Sequence, residues 1–325
     1  MNAGSPQAPS KARSLRAGHR IPCYALSDWG TSRFRLWLVD RRGQVLVEKR
    51  SEDGLDTSRA RGFAATLEGH LSGLGAPDNL PVIICGMAGS RQGWVEANYV
   101  PVPADLSAIL SGSVKIEGIG RDVRIIPGLS QSGVSPNVMR GEETQLLGAI
   151  LDRDLFNGII AMPGTHSKWV ALEAGKAKSF ATYLTGELYA LLASQSILRH
   201  SVGDAAASAS PDHPQFTAAL ELMLSGERML GELFGIRAAM LLDNLPPEGA
   251  ASRLSGLLIG AEIAAAKSKH NGKVTLVASG AMAGLYGKAL AIAGLNFDLV
   301  DADEAVRKGL FVAASGIWPI EGHTA

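Results

Sequence analysis

One pattern constrains this chain more than any other. An apolar strand, a glycine turn, a second strand, another glycine turn and a third strand stand near the start of each half. In the first copy Cys23–Trp29 runs into Gly30-Thr31-Ser32. Phe34, Leu36 and Leu38 then alternate with Arg33, Arg35 and Trp37, the period-2 signature of a strand. Asp40-Arg41-Arg42-Gly43 turns the chain into Gln44–Lys49. In the second copy Gly158–Met162 meets Gly164-Thr165-His166-Ser167, Lys168–Leu172 returns, and Glu173-Ala174-Gly175 leads to Lys178–Tyr183. The turn glycines lie 13 residues apart in the first copy, Gly30 to Gly43, and 11 in the second, Gly164 to Gly175. Internal repetition on this scale predicts two related α/β domains, 21–156 and 157–325, each opening on a meander.

Helical spacing fills the rest. Thr57–Leu74 places Phe63, Leu67 and Leu71 on one face, and Glu142–Leu155 does the same with Leu146, Leu147 and Ile150. Pro81–Cys85 and Val123–Ile126 read as buried strands. The second half turns helical over Glu187–Arg199, Gln215–Leu224, Glu227–Leu242 and Gly249–Lys267. A last strand, Lys273–Ala278, a helix, Ala281–Ala293, and a closing helix, Ala305–Gly316, complete it. The closing helix is expected to pack back on the first domain.

Composition removes several classes. Lys+Arg and Asp+Glu are 31 each, for a net charge of +0, which argues against a nucleic-acid binder. Four of the bases, Lys11, Arg13, Arg16 and Arg20, precede the first acid, Asp28, so residues 1–20 read as a disordered basic tail. That tail has no apolar segment of the kind a secretory signal needs. Leu254–Ala266 is broken by Ser255 and Glu262 and is too short to span a bilayer. Two cysteines, Cys23 and Cys85, make neither a disulfide framework nor a thiolate zinc site, and a reduced cytoplasm is the simplest location. The seven histidines are scattered, without a His-Glu-x-x-His pattern. Oligomeric state is not legible.

The glycine turns are where chemistry fits. A strand ending in Asp-x-Gly-Thr lets backbone come close to phosphate oxygens, with N–H groups and hydroxyls as donors. Gly30, Thr31 and Ser32 supply those donors, and Asp28 suits a hydrated Mg²⁺. In the second turn Gly164 and Thr165 recur, but Met162 stands where Asp28 stood. Lys168 fits a phosphate contact or an ordinary strand residue equally. Gly280, in Ser279–Gly284, fits either a flat purine or close helix–strand packing. The chain lacks the Walker pattern.

Three polar clusters remain. Gly86–Tyr99 holds Ser90, Arg91, Gln92 and Trp94, and the fork of Arg91 matches a carboxylate. Arg140-Gly141-Glu142-Glu143 opens a helix, where its acids serve the dipole or act as a base. Thr185-Gly186-Glu187 opens another.

Taken together, DWGTSRFRLWLVD (28–40), GMAGSRQGWVEANY (86–99), VMRGEETQLLGA (138–149), MPGTHSKWV (162–170) and TGELYALL (185–192) resemble the 2-dehydro-3-deoxygalactonokinase family of sugar-acid kinases. The resemblance implies a two-domain actin/hexokinase-like (ribonuclease H-like) fold with the active site in a central cleft. It implies ATP- and Mg²⁺-dependent phosphorylation of 2-dehydro-3-deoxy-D-galactonate at C-6. It places Gly30, Thr31, Gly164, Thr165 and Gly280 on ATP and Asp28 at the metal; the residues themselves add Ser32 and Lys168 to the ATP set and assign Ser90, Arg91, Gln92, Trp94 and Glu187 to the sugar acid. The base is Glu142 or Glu143, with Asp28 the lesser candidate. The alternatives are a kinase for another sugar acid, an exopolyphosphatase-like phosphohydrolase, and a ligand-sensing regulator, for which the tail is too short to hold a helix-turn-helix.

Overall fold

The computed structural model describes residues 21–151, 156–268 and 272–319. The expected basic tail lies outside the described residues. So does the end of the helix expected over Glu142–Leu155.

The chain opens on the antiparallel meander: β1 (Tyr24–Trp29), β2 (Phe34–Val39) and β3 (Val45–Ser51). Two helices, α1 (Leu55–Arg61) and α2 (Phe63–Gly73), replace the single helix expected over Thr57–Leu74. Gly62 divides them, because its φ of +94° leaves helical space for a region that residues with a Cβ rarely enter. After β4 (Val82–Gly86) come the short elements β5 (Val100–Pro101), β6 (Ala104–Asp105), α3 (Leu106–Ser111), β7 (Val114–Lys115), β8 (Val123–Ile125), β9 (Leu129–Gln131) and β10 (Asn137–Met139). Most of them were not foreseen, since two- and three-residue strands carry no readable period. Helix α4 (Glu142–Ile150) follows.

The second meander is β11 (Gly158–Met162), β12 (Ser167–Glu173) and β13 (Lys176–Tyr183). Helices α5 (Thr185–Gln195), α6 (Arg199–Val202), α7 (Pro214–Leu224), α8 (Met229–Leu242) and α9 (Pro247–Lys267) come next. The chain closes with β14 (Val274–Val277), α10 (Gly280–Ile292), β15 (Phe297–Val300) and α11 (Ala302–Ile317).

Two compact units result. Among the described residues, the first takes those up to Asn98, Ile109–Gly128 and those from Leu310; the second takes Tyr99–Ala108 and Leu129–Gly309. In the first, a six-stranded sheet has the order β3-β2-β1-β4-β8-β7, with β1, β4 and β8 parallel. In the second, the order is β15-β14-β11-β12-β13-β6, with β11, β14 and β15 parallel. Read from the meander outward, β3-β2-β1-β4-β8 and β13-β12-β11-β14-β15 are one topology used twice. A three-stranded sheet, β10-β9-β5, belongs to the second unit.

Alternation along β2 explains the first core. Phe34, Leu36 and Leu38 are fully buried with Trp29, Leu67 and Ile84. Each such side chain removed from water contributes roughly 1.5–3 kcal/mol. The C-terminal part of α11 completes this unit: Phe311 packs edge-on against Tyr24, whose hydroxyl donates to the Trp318 carbonyl. In the second unit Trp169, Phe216, Ile263, Leu276 and Tyr286 share one cluster.

Candidate active site

The first glycine loop leaves the end of β1. Gly30 N–H donates to the Arg33 carbonyl at 2.8 Å, closing the turn. Gly54 backs the loop, since a Cβ there would stand 2.2 Å from the Thr31 carbonyl oxygen. The next residue, Leu55, donates its N–H to the Gly30 carbonyl at 3.1 Å. Asp28 and Arg35 are register partners across β1 and β2, and Arg35 Nε donates to Asp28 Oδ2 at 3.2 Å. The other carboxylate oxygen, Oδ1, faces the Cys85 thiol at 3.7 Å. Thus Asp28 stands beside the loop with one oxygen held by a guanidinium.

Ser90, Arg91, Gln92 and Trp94 follow β4, the parallel neighbour of β1. The Ser90 hydroxyl is buried with no hydrogen-bond partner among the described residues. Arg91 is 87% exposed, with a contact of 3.4 Å to Glu96, and Gln92 is exposed as well. The Trp94 ring stacks on Phe63 at 6.0 Å and meets Trp29 edge-on, so one face of it is built into the core.

The second loop is held by the same device as the first. Gly186 follows β13 at the distance by which Gly54 follows β3, three residues. A Cβ on Gly186 would lie 2.5 Å from the Gly164 carbonyl oxygen. Glu187 then donates its N–H to the Thr165 carbonyl at 3.0 Å, and its carboxylate pairs with His166. Glu187 is therefore a support of the second loop in this geometry.

The register also explains Lys168. Met162 and Lys168 are partners across β11 and β12, as Asp28 and Arg35 are across β1 and β2. The cation is kept and its acid is replaced by methionine. Lys168, with a side chain only 5% exposed, meets Glu142 Oε1 instead, at 3.5 Å.

Of the two acids that open α4, one is reachable and one is not. Glu142 keeps a quarter of its side chain exposed, and its Oε2 accepts from the Arg140 N–H at 2.9 Å. Glu143 is buried, and both of its oxygens accept from the Gly141 N–H, at 2.9 and 2.7 Å. Burial, helped by the neighbouring Glu142, pushes the Glu143 carboxyl from 4.5 up to about 8.

A cavity of about 280 Å³ lies within the second unit, bordered by Gly164, Thr185, Gly186, Ala281, Met282 and Tyr286 among others. That is near the lower end of small-molecule pockets, roughly 300–1,000 Å³. Gly280 starts α10, the helix that supplies one wall, and nothing stands within 4 Å of where its Cβ would be. Close helix–strand packing therefore does not explain that glycine. Thr185 and Tyr286 both reach the carboxylate of Glu262, which spacing alone did not single out. Its signal was an acid within the otherwise apolar stretch Leu254–Ala266.

Two meanders of identical order, each feeding parallel strands and each ending its first strand in a backed glycine loop, define an actin/hexokinase-like ATPase fold. A structure of the activator of 2-hydroxyisocaproyl-CoA dehydratase from Clostridium difficile with bound ADPNP shares that fold, with a TM-score of 0.50 at 11% identity, covering 93% of this chain and 99% of that one. The chain belongs to the 2-keto-3-deoxy-galactonokinase family, whose model matches residues 28–313. A protein of Rhizobium meliloti (strain 1021) named as a probable 2-dehydro-3-deoxygalactonokinase is 46% identical over 91% of this chain and 98% of its own length. The 2-dehydro-3-deoxygalactonokinase of Escherichia coli (strain K12) is 36% identical over 88% and 96%. A crystal structure of the Sinorhizobium meliloti protein assigned as a 2-dehydro-3-deoxygalactonokinase superposes with a TM-score of 0.86 at 46% identity, over 91% of this chain and 100% of that one.

Proposed function

We propose that this chain transfers the γ-phosphoryl group of ATP to the C-6 hydroxyl of 2-dehydro-3-deoxy-D-galactonate, giving the 6-phosphate and ADP. One observation carries the reading: a family match that runs through both glycine loops, the second of which borders a cavity suited to a small ligand. N–H groups and hydroxyls at Thr31, Ser32, Gly164 and Thr165 take the phosphate oxygens, and Gly30, whose own N–H closes the turn, lets the backbone come close to them. The start of α10, at Gly280, takes the adenosine. Ser90, with its unpaired hydroxyl, Arg91 and Gln92 take the sugar acid, and Arg91 meets its carboxylate. Trp94 forms a fixed apolar wall beside them.

Glu142 is the base in this reading, because Glu143 is sealed from any ligand by its own loop. A carboxylate anchored at 3.5 Å by Lys168 is adequate, since a loose phosphoryl-transfer transition state needs a positioned hydroxyl more than a strong base. Lys168 also offers charge to the transferred group.

The donor set at Asp28 fits Mg²⁺. That ion retains several waters and uses one or two carboxylates, and Asp28 has one oxygen that Arg35 does not take. When bound, Mg²⁺ would neutralise charge on the ATP phosphates. No helix among the described residues is long and apolar enough to cross a membrane. We place the reaction in the cytoplasm, in keeping with two cysteines that form no disulfide.

A coupled assay of ADP release, run against 2-keto-3-deoxy sugar acids, simple hexoses and no acceptor, tests the proposal. ADP formation that depends on 2-dehydro-3-deoxy-D-galactonate is the expected result. Release of inorganic phosphate without an acceptor would overturn it in favour of a hydrolase.

A further inference from the structure

Glu262 sits on α9, 3% exposed, on a face otherwise made of Ile259, Ile263 and Ala266. Taking a carboxylate out of water costs several kcal/mol unless strong donors meet it. Three donors do, and each comes from a different element. Trp169 Nε1 on β12 donates to Oε1 at 2.8 Å, the Tyr286 hydroxyl on α10 donates to Oε2 at 2.6 Å, and the Thr185 hydroxyl at the start of α5 donates to Oε2. Ser167, the first residue of β12, joins through the Tyr286 hydroxyl at 3.0 Å. The Tyr286 phenol, pushed well up by burial and by the Glu262 charge, remains a donor.

The elements tied together are those that shape the cavity. Thr185 and Tyr286 line it. Gly186 and Glu187, the residues after Thr185, hold Gly164 and Thr165 from behind. Ser167 and Trp169 begin the strand on which the loop returns. A buried acid of this kind is a poor source of stability, because an apolar residue of equal volume would pack there at least as well. What it supplies is a single point that fixes the start of α5, the middle of α10 and one strand in mutual register.

We propose that Glu262 is a positioning residue for nucleotide binding: it sets the distance between the second glycine loop and α10, and thereby the affinity for the adenine nucleotide. This rests on the reading of the cavity as the nucleotide site.

The test measures the dissociation constant of ADP by calorimetry, together with the KM for each substrate, in wild type, Glu262→Gln, Thr185→Val and Tyr286→Phe. The last two each remove one donor with little change of volume. Glu262→Gln keeps an acceptor for Trp169 but places an amide against two hydroxyls. The ADP dissociation constant is expected to rise about tenfold or more in Glu262→Gln and severalfold in the two donor variants. The KM for the sugar acid is expected to stay within about twofold. If Glu262→Gln fails to fold, the two donor variants decide. Wild-type protein that binds ADP, with folded variants that bind it equally well, overturns the inference. So does an equal rise in KM for both substrates, the mark of a merely structural role. Wild-type protein that binds no ADP overturns the functional reading itself, which separates the two failures.

Discussion

Glu143 gives the sharpest quantitative test of the site. Its carboxyl is 2% exposed, and burial is the largest influence on it, followed by the like charge of Glu142. The Gly141 N–H and the Arg140 charge pull the other way and lose. The folded protein therefore holds a proton at about pH 8 that an ordinary carboxyl releases near 4.5. A group whose value is raised on folding contributes its full stability below the unfolded value and loses it as pH climbs to the folded one. Between these limits the loss is about 1.4 kcal/mol for each unit of pH, about 5 kcal/mol in all. That is a large share of the roughly 5–15 kcal/mol that holds a native protein together. Glu143→Gln carries no titrating proton and removes the dependence. Urea unfolding of both proteins at about pH 5.5 and about pH 7.5 reads the difference. The wild type should lose about 3 kcal/mol relative to the variant over that interval. A difference that stays level across it would refute the argument, because Glu143 would then titrate alike in both states.

Glu142→Gln should lower kcat by roughly 10²–10⁴ while ADP affinity stays near wild type, and it should lower the unfolding midpoint because Lys168 loses its counter-charge; near-normal kcat removes Glu142 as the base. Gly186→Ala forces a methyl to within 2.5 Å of the Gly164 carbonyl oxygen and should raise the KM for ATP and lower the melting temperature, as a thermal scan with and without ADP would register. Arg91→Lys exchanges a planar fork for a point charge and should raise the KM for the sugar acid while sparing that for ATP; an unchanged KM takes Arg91 off the carboxylate.

The first meander was legible because Phe34, Leu36 and Leu38 alternate with Arg33 and Arg35, whereas β12 is buried on both faces and is marked by the glycine turns that flank it. The helix expected over Thr57–Leu74 runs across Gly62 because a glycine within helical spacing is tolerated, and only its φ of +94° breaks the helix there. The short strands of the β10-β9-β5 sheet left no period to find. At the site, the loop residues were visible as a pattern, but the reasons for Gly54, Gly186 and Glu262 lie in contacts between segments far apart in sequence. Gly54 has no motif around it to mark it, although it stands three residues beyond its meander just as Gly186 does.

A duplicated scaffold offers the same set of positions twice, so the places where the copies differ mark where each has specialised. Loop glycine, backing glycine and cross-strand cation are kept in both: Gly30, Gly54 and Arg35 in one, Gly164, Gly186 and Lys168 in the other. The acid is not. In the first copy Asp28 and Arg35 satisfy each other within the sheet. In the second, Met162 leaves the cation without a partner on its own sheet, and Lys168 reaches Glu142 on α4. A buried ammonium needs a counter-charge, so the exchange of aspartate for methionine couples the second loop to the helix that carries the proposed base. Restoring the acid with Met162→Asp should draw Lys168 back into the sheet and release Glu142. The kcat of that variant should fall toward that of Glu142→Gln, and full activity in a folded Met162→Asp would show that the Lys168–Glu142 pair has no part in the reaction.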